Sequence, residues 1–87
     1  MELELRRQAE NYLARLGEPQ RSAVAAAIDK LGRDPPQGDI EPIIGQKGYF
    51  RARAGGLRIL YTVREDRILI TNIVPRGQAY NKKEKKK

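Results

Sequence analysis

Gly48-Tyr49-Phe50-Arg51-Ala52-Arg53-Ala54-Gly55-Gly56-Leu57-Arg58-Ile59-Leu60-Tyr61 carries two extended runs joined by a pair of glycines. The reading is a β-hairpin. Alternation with period two sets Tyr49, Arg51 and Arg53 on one face and Phe50, Ala52 and Ala54 on the other. With Gly55-Gly56 as the loop, Arg53 stands directly opposite Arg58. Like charges so opposed are destabilising by up to about 1 kcal/mol, so the pairing asks for a counter-charge from a phosphate or a partner's carboxylate. The alternative is a solvated basic strand face with no ligand.

Outward from this hairpin, strands are predicted at about 48–54, 57–64 and 67–74, the last two joined around Glu65-Asp66. Their tight connections make an antiparallel meander. Upstream, residues 33–47 are rich in proline and glycine and form a connector that Ile40, Ile43 and Ile44 tack to the core. Before it lie two helices. One starts at Leu5, with Ala9, Tyr12, Leu13 and Leu16 as its apolar stripe and Gly17 as its C-cap. The other starts near Glu18-Pro19 and runs to Leu31, with Val24, Ala27, Ile28 and Leu31 inward, and stops at Gly32. The short link at Gly17 predicts an antiparallel helical hairpin. Met1, Leu3 and Leu5 also alternate with Glu2 and Glu4, so a short leading strand stays open. The expected fold class is α+β: an N-terminal helical hairpin packed on a three- to four-stranded antiparallel sheet. Phe50, Ala52, Ile59, Tyr61, Val63, Ile68, Ile70 and Val74 are expected to face the helices, and Arg51, Arg53 and Arg58 to face away.

The 87 residues make one domain, read as residues 1–81, with 82–87 as a basic, disordered tail. Eighteen Lys and Arg against eleven Asp and Glu give a net +7, of which the tail supplies +4. That balance favours a nucleic acid or an acidic protein partner over a small-molecule substrate. Without cysteine there is no thiolate chemistry, and without histidine the commonest metal ligand and neutral-pH proton carrier are missing. Neither a metal nor another cofactor is expected. No run approaches the roughly 18 apolar residues of a membrane span, so a soluble, cytoplasmic protein is expected.

The order helix, helix, meander and the string Gly48-x-x-Arg51-x-Arg53-x-Gly55-x-x-Arg58-x-x-Tyr61 resemble the RelE/ParE superfamily of toxin-antitoxin toxins. Val74-Pro75-Arg76-Gly77-Gln78-Ala79-Tyr80 is similar to the closing segment of that family, where an arginine after the last strand is followed four positions later by a tyrosine. The resemblance implies the toxin of a type II system: a RelE-like, ribosome-dependent messenger-RNA endoribonuclease held inactive by a cognate antitoxin, with the ribosome and mRNA as its other partners. By position, Arg51, Arg58 and Arg76 match the basic phosphate contacts, and Tyr80 matches the tyrosine at the scissile nucleotide. Arg53, Lys47, Lys82 and Lys83 are further candidate RNA contacts.

These residue types suit cleavage by the adjacent 2′-hydroxyl. Charge builds on the phosphorane and on the leaving 5′-oxygen, and guanidiniums offer fixed donors to both. Arginine stays charged and shuttles protons poorly, so the base is sought in Tyr80, Lys47, Lys82 or a ribosomal group. Two rivals remain open. Arg76 and Tyr80 favour the ribonuclease, whereas the missing histidine and Gly77 favour a ParE-like, non-enzymatic inhibitor of DNA gyrase. A basic RNA-binding domain with a degenerate site is the third reading.

Overall fold

A computed structural model of the chain describes residues 2–75. The elements are β1 (Glu2–Leu5), α1 (Arg7–Arg15), α2 (Gln20–Leu31), β2 (Ile40–Pro42), β3 (Tyr49–Ala54), β4 (Leu57–Arg64) and β5 (Arg67–Pro75). The strands form one sheet in the order β1-β5-β4-β3-β2. All neighbours are antiparallel except β1, which runs parallel to β5. The α+β class holds, but the three- to four-stranded antiparallel meander is corrected to a mixed sheet of five strands.

Both added strands follow from short alternations at the sheet edges. In β1, Leu3 and Leu5 stand opposite Ile68 and Ile70, while Glu2 and Glu4 reach Arg67 at 3.8 and 3.1 Å. The helices and the connector supply the long crossover that a parallel pair requires. Helix α1 therefore begins two residues later than its periodicity suggests. In β2, Ile40 turns toward the core beside Ala52. Pro42 is tolerated because β2 is the outermost strand. Of the connector isoleucines, Ile40 and Ile43 are held inward, but Ile44 is 86% exposed and tacks nothing.

The expected helical hairpin differs in detail, because the two helices touch each other little and each packs on its own strand. Arg21 Nε donates to the Leu16 carbonyl at 3.0 Å, satisfying an orphan acceptor at the end of α1. The Glu18 carboxylate accepts from the Ser22 N–H at 3.2 Å and from its hydroxyl at 2.6 Å, closing the first turn of α2. Helix α1 then lies on β5 and α2 on β3. Neither Gly17 nor Gly32 takes the left-handed conformation expected of a C-cap. A Cβ at Gly32 would stand 3.4 Å from Leu3 Cδ1, in ordinary contact with the side chain of β1 that lies over the end of α2.

Between helices and sheet, Ala9, Val24 and Leu31 meet Ala52, Ile59, Tyr61, Ile68, Ile70 and Ile73 in one buried cluster. Tyr61 stacks on Phe50 with ring centroids 5.5 Å apart. Leu60 pairs with Asn72 but Tyr61 pairs with Ile70, so Thr71 is an extra residue in β5. Its hydroxyl donates to the Leu60 carbonyl at 3.2 Å. A bulge of this kind shifts the alternation by one residue. Ile73, not Val74, therefore faces the helices, and Val74 lies opposite Arg58 on the other face. The sequence-based placement of Val74 is overturned by that single inserted residue.

Past Leu5, β1 no longer covers β5, and Gln8 of α1 takes over. Its side-chain amide donates to the Ile73 carbonyl at 3.3 Å and accepts from the Ile73 N–H at 3.0 Å, one more rung made by a side chain. Replacing Gln8 by leucine is expected to lower stability by about 1–3 kcal/mol, because two backbone groups lose their partners. Ile73→Ala should cost about 2–5 kcal/mol, and Ile44→Ala no more than about 0.5 kcal/mol. Urea unfolding of the three variants checks this ranking.

Candidate nucleic-acid interface

The face of the sheet turned away from the helices collects the charged side chains of β2, β3 and β4. The expected hairpin is present: Ala54 pairs with Leu57 around Gly55-Gly56, and Arg53 stands directly opposite Arg58. Gly55 has φ +62°, a left-handed turn conformation in which a side chain would be strained. Arg58 is 5% exposed. Its Nη1 donates to the carbonyls of Leu57 and Gly55 at 3.1 and 3.5 Å, so this guanidinium also braces the turn. Burial separates it from the solvated face expected of all three arginines.

The counter-charge that the Arg53–Arg58 opposition demands comes from inside the chain. Glu41 stands opposite Arg51 in the β2–β3 ladder, and Arg51 Nη2 lies 2.6 Å from Glu41 Oε1. One step earlier, Asp39 Oδ2 lies 3.4 Å from Arg53 Nε. The Asp39 carbonyl also accepts from the Arg53 N–H at 2.9 Å. Asp39, Glu41, Arg51, Arg53 and Arg58 together line one narrow crevice. The hydrogen bond from Arg51 and then its charge hold the Glu41 carboxyl below its ordinary 4.5; desolvation opposes them less strongly, and Arg53 and Arg58 add still smaller lowering effects.

Glu41 is the residue that sequence reasoning missed. The signal was the alternation Asp39-Ile40-Glu41, which puts two acids on the face opposite an inward isoleucine. The prolines and glycines around it masked that pattern as a loop. Chemically, the cluster offers fixed donors for an oxyanion and one carboxylate able to accept a proton. Tyr61 offers neither, because it sits in the core and burial pushes its hydroxyl above the ordinary 10.0.

Of the other candidates, Lys47 is exposed in the turn before β3 and does not line the crevice. Arg76, Tyr80, Lys82, Lys83 and the basic tail 82–87 lie outside the described residues. The last described residues of β5 pass the crevice, with Val74 opposite Arg58 and Pro75 opposite Leu57. Residues 2–75 carry twelve Lys and Arg against ten Asp and Glu, so only +2 of the net +7 resides in them. Among the described residues, no group of three or more His, Cys, Asp or Glu is placed to hold a metal ion, and no helix is long and apolar enough to cross a membrane.

A model of the ParE toxin of the type II toxin-antitoxin system parDE matches residues 3–80. The chain belongs to the ParE toxin family. It is thus a toxin of a type II toxin-antitoxin system, in the RelE/ParE superfamily. No curated protein matches this toxin in sequence. Solved structures share its fold. The RelB-RelE antitoxin-toxin complex from Methanococcus jannaschii contains a chain 21% identical, with a TM-score of 0.74, covering 91% of the toxin and 96% of that chain. The archaeal RelE-RelB complex from Pyrococcus horikoshii OT3 gives 24% identity and a TM-score of 0.73 over 88% and 96%. The YoeB/ParE toxin from Agrobacterium tumefaciens gives 20% and 0.73 over 86% and 98%.

The Glu41–Arg51 pair carries a pH signature. A carboxyl whose pKa is lowered by folding stabilises the fold above its ordinary range, and that contribution disappears as pH falls through the lowered value. The urea midpoint of the toxin should therefore exceed that of Glu41→Gln by a constant margin between about pH 5 and 7. Below the ordinary carboxylate value the margin should shrink.

Proposed function

We propose that this toxin is a ribosome-dependent mRNA endoribonuclease that inhibits translation in the cytoplasm and is held in check by a cognate antitoxin. The observation that carries this reading is the grouping of Arg51, Arg53 and Arg58 around the Glu41 carboxylate on the face of the sheet turned away from α1 and α2. A cleavage site for RNA needs those two kinds of group. The 2′-hydroxyl attacks the adjacent phosphorus, its proton passes to a base, and the 5′-oxygen leaves with a proton as a 2′,3′-cyclic phosphate forms. Glu41 is the base in this scheme, and the arginines, joined by Arg76, meet the phosphorane charge. Tyr80 serves the scissile nucleotide, by stacking or by proton exchange with the leaving oxygen. Arg53 and Lys47, with Lys82 and Lys83 of the tail, hold the flanking phosphates.

The antitoxin is inferred by analogy. The structurally similar RelE chains of M. jannaschii and P. horikoshii are in complexes with RelB.

One observation favours a second reading, a ParE-like protein that inhibits DNA gyrase without cutting. Arg51 and Arg53 already hold carboxylates at 2.6 and 3.4 Å, so part of the basic face serves the fold.

Primer extension on a defined message in a translating extract separates the two readings. Under the ribonuclease reading, cuts appear at fixed positions, require ribosomes, and fall by about a hundredfold or more in Arg76→Ala and Glu41→Gln. Intact message together with loss of gyrase supercoiling activity would establish the second reading instead.

A further inference from the structure

The crevice between the arginines is closed from within. Asp39 and Glu41 line the same narrow crevice as Arg51, Arg53 and Arg58, and their carboxylates already sit on Arg53 and Arg51. An oxyanion that takes Arg51 there competes with the Glu41 carboxylate. We propose that Asp39 and Glu41 are a built-in, displaceable counter-anion, and that the Arg51–Arg53–Arg58 site takes a phosphodiester by exchange, the phosphate claiming Arg51 as the Glu41 carboxylate is released from it. This deepens the ribonuclease reading and rests on it for the identity of the phosphate.

Several observations point the same way. The Glu41 side chain is 52% exposed while that of Arg51 is 14% exposed, so the carboxylate is the partner with somewhere to go and the guanidinium is the one held in place. Arg58 is anchored further in, on the carbonyls of Leu57 and Gly55. The Asp39–Arg53 pair is open on both sides, at 60% and 54% exposure, and at 3.4 Å it is the looser of the two. Glu41 lies on a three-residue strand at the sheet edge, with only β3 beside it. Moving its side chain off Arg51 therefore disturbs no ladder.

The exchange links binding to proton transfer. Glu41 is faced by Arg51 and Arg53 from β3, by Arg58 from β4 and by Asp39 from its own side. While it sits on Arg51 it is a weak base, because that guanidinium holds its proton affinity down. Once the phosphate has taken Arg51, the largest of those influences is spent on the substrate, and Glu41 gains basicity next to the 2′-hydroxyl it must deprotonate. The free toxin thus keeps both its affinity for stray polyanions and its base strength low until a phosphodiester is seated.

Calorimetric titration with two probes tests the exchange. Inorganic sulfate reads the arginine site alone, and a 2′-O-methyl hexanucleotide, which cannot be cleaved, reads the RNA assignment. Both are titrated into the wild-type toxin, Glu41→Gln, Asp39→Asn and the double variant Glu41→Gln/Arg51→Gln, with thermal melts confirming that each is folded. Removing a carboxylate that competes as an exposed ion pair should tighten sulfate binding by roughly fivefold in Glu41→Gln, with a smaller gain in Asp39→Asn. The gain should vanish in the double variant. Sulfate bound no more tightly by Glu41→Gln or Asp39→Asn than by the wild type would overturn the exchange, whatever the oligonucleotide does. A sulfate gain without hexanucleotide binding by any variant would uphold the exchange, remove RNA as its occupant, and leave an acidic protein partner.

Discussion

The opposition of Arg53 and Arg58 across a two-residue turn is the constraint on which the rest of this molecule turns. Two guanidiniums on neighbouring strands repel each other, and the chain answers by bringing up β2 with Asp39 and Glu41 on the same face. That answer has three effects. It turns part of the connector into an edge strand, it gives a sheet face of three arginines a carboxylate in its midst, and it occupies guanidiniums a ligand would need. Fold and function here share one electrostatic problem.

On the opposite face the organising element is β4. It carries Leu57, Ile59 and Tyr61 toward the helices and Arg58 away from them. Its neighbour β5 follows that division only because the bulge at Thr71 resets the alternation, which keeps Ile73 inside and brings Val74 beside Arg58. Without the bulge, β5 would have turned Asn72 and Val74 inward with Ile70, and exposed Ile73. The end of β5 is also where β1 runs out, and the side-chain amide of Gln8 completes the edge. An exposed run of unpaired backbone would invite another chain to add a strand.

Residues 2–75 are nearly balanced, at +2. Three of their arginines pair with carboxylates across the sheet: Arg51 with Glu41, Arg53 with Asp39 and Arg67 with Glu2 and Glu4. Exposed pairs of this sort contribute little stability, about 0–1 kcal/mol each, and for that reason can be exchanged for a ligand at little cost.

The sequence by itself determined the two helices, the 48–74 hairpins, the register of the first of them and the face on which Arg51, Arg53 and Arg58 lie, because each rests on a local period or a two-residue turn. It also carried the family, since the arginine string and the helix-helix-meander order together are distinctive. Only the tertiary structure decided the rest. A strand as short as Ile40–Pro42 carries too brief an alternation to stand out from a loop and exists because β3 offers it an edge. The parallel docking of β1 on β5 joins residues more than sixty positions apart, and no local pattern announces such a pairing. The bulge at Thr71 is one residue long and shows itself only when two strands are laid side by side. Glu41, central to the site, was illegible because its meaning lies in the guanidinium across the ladder, not in its neighbours along the chain.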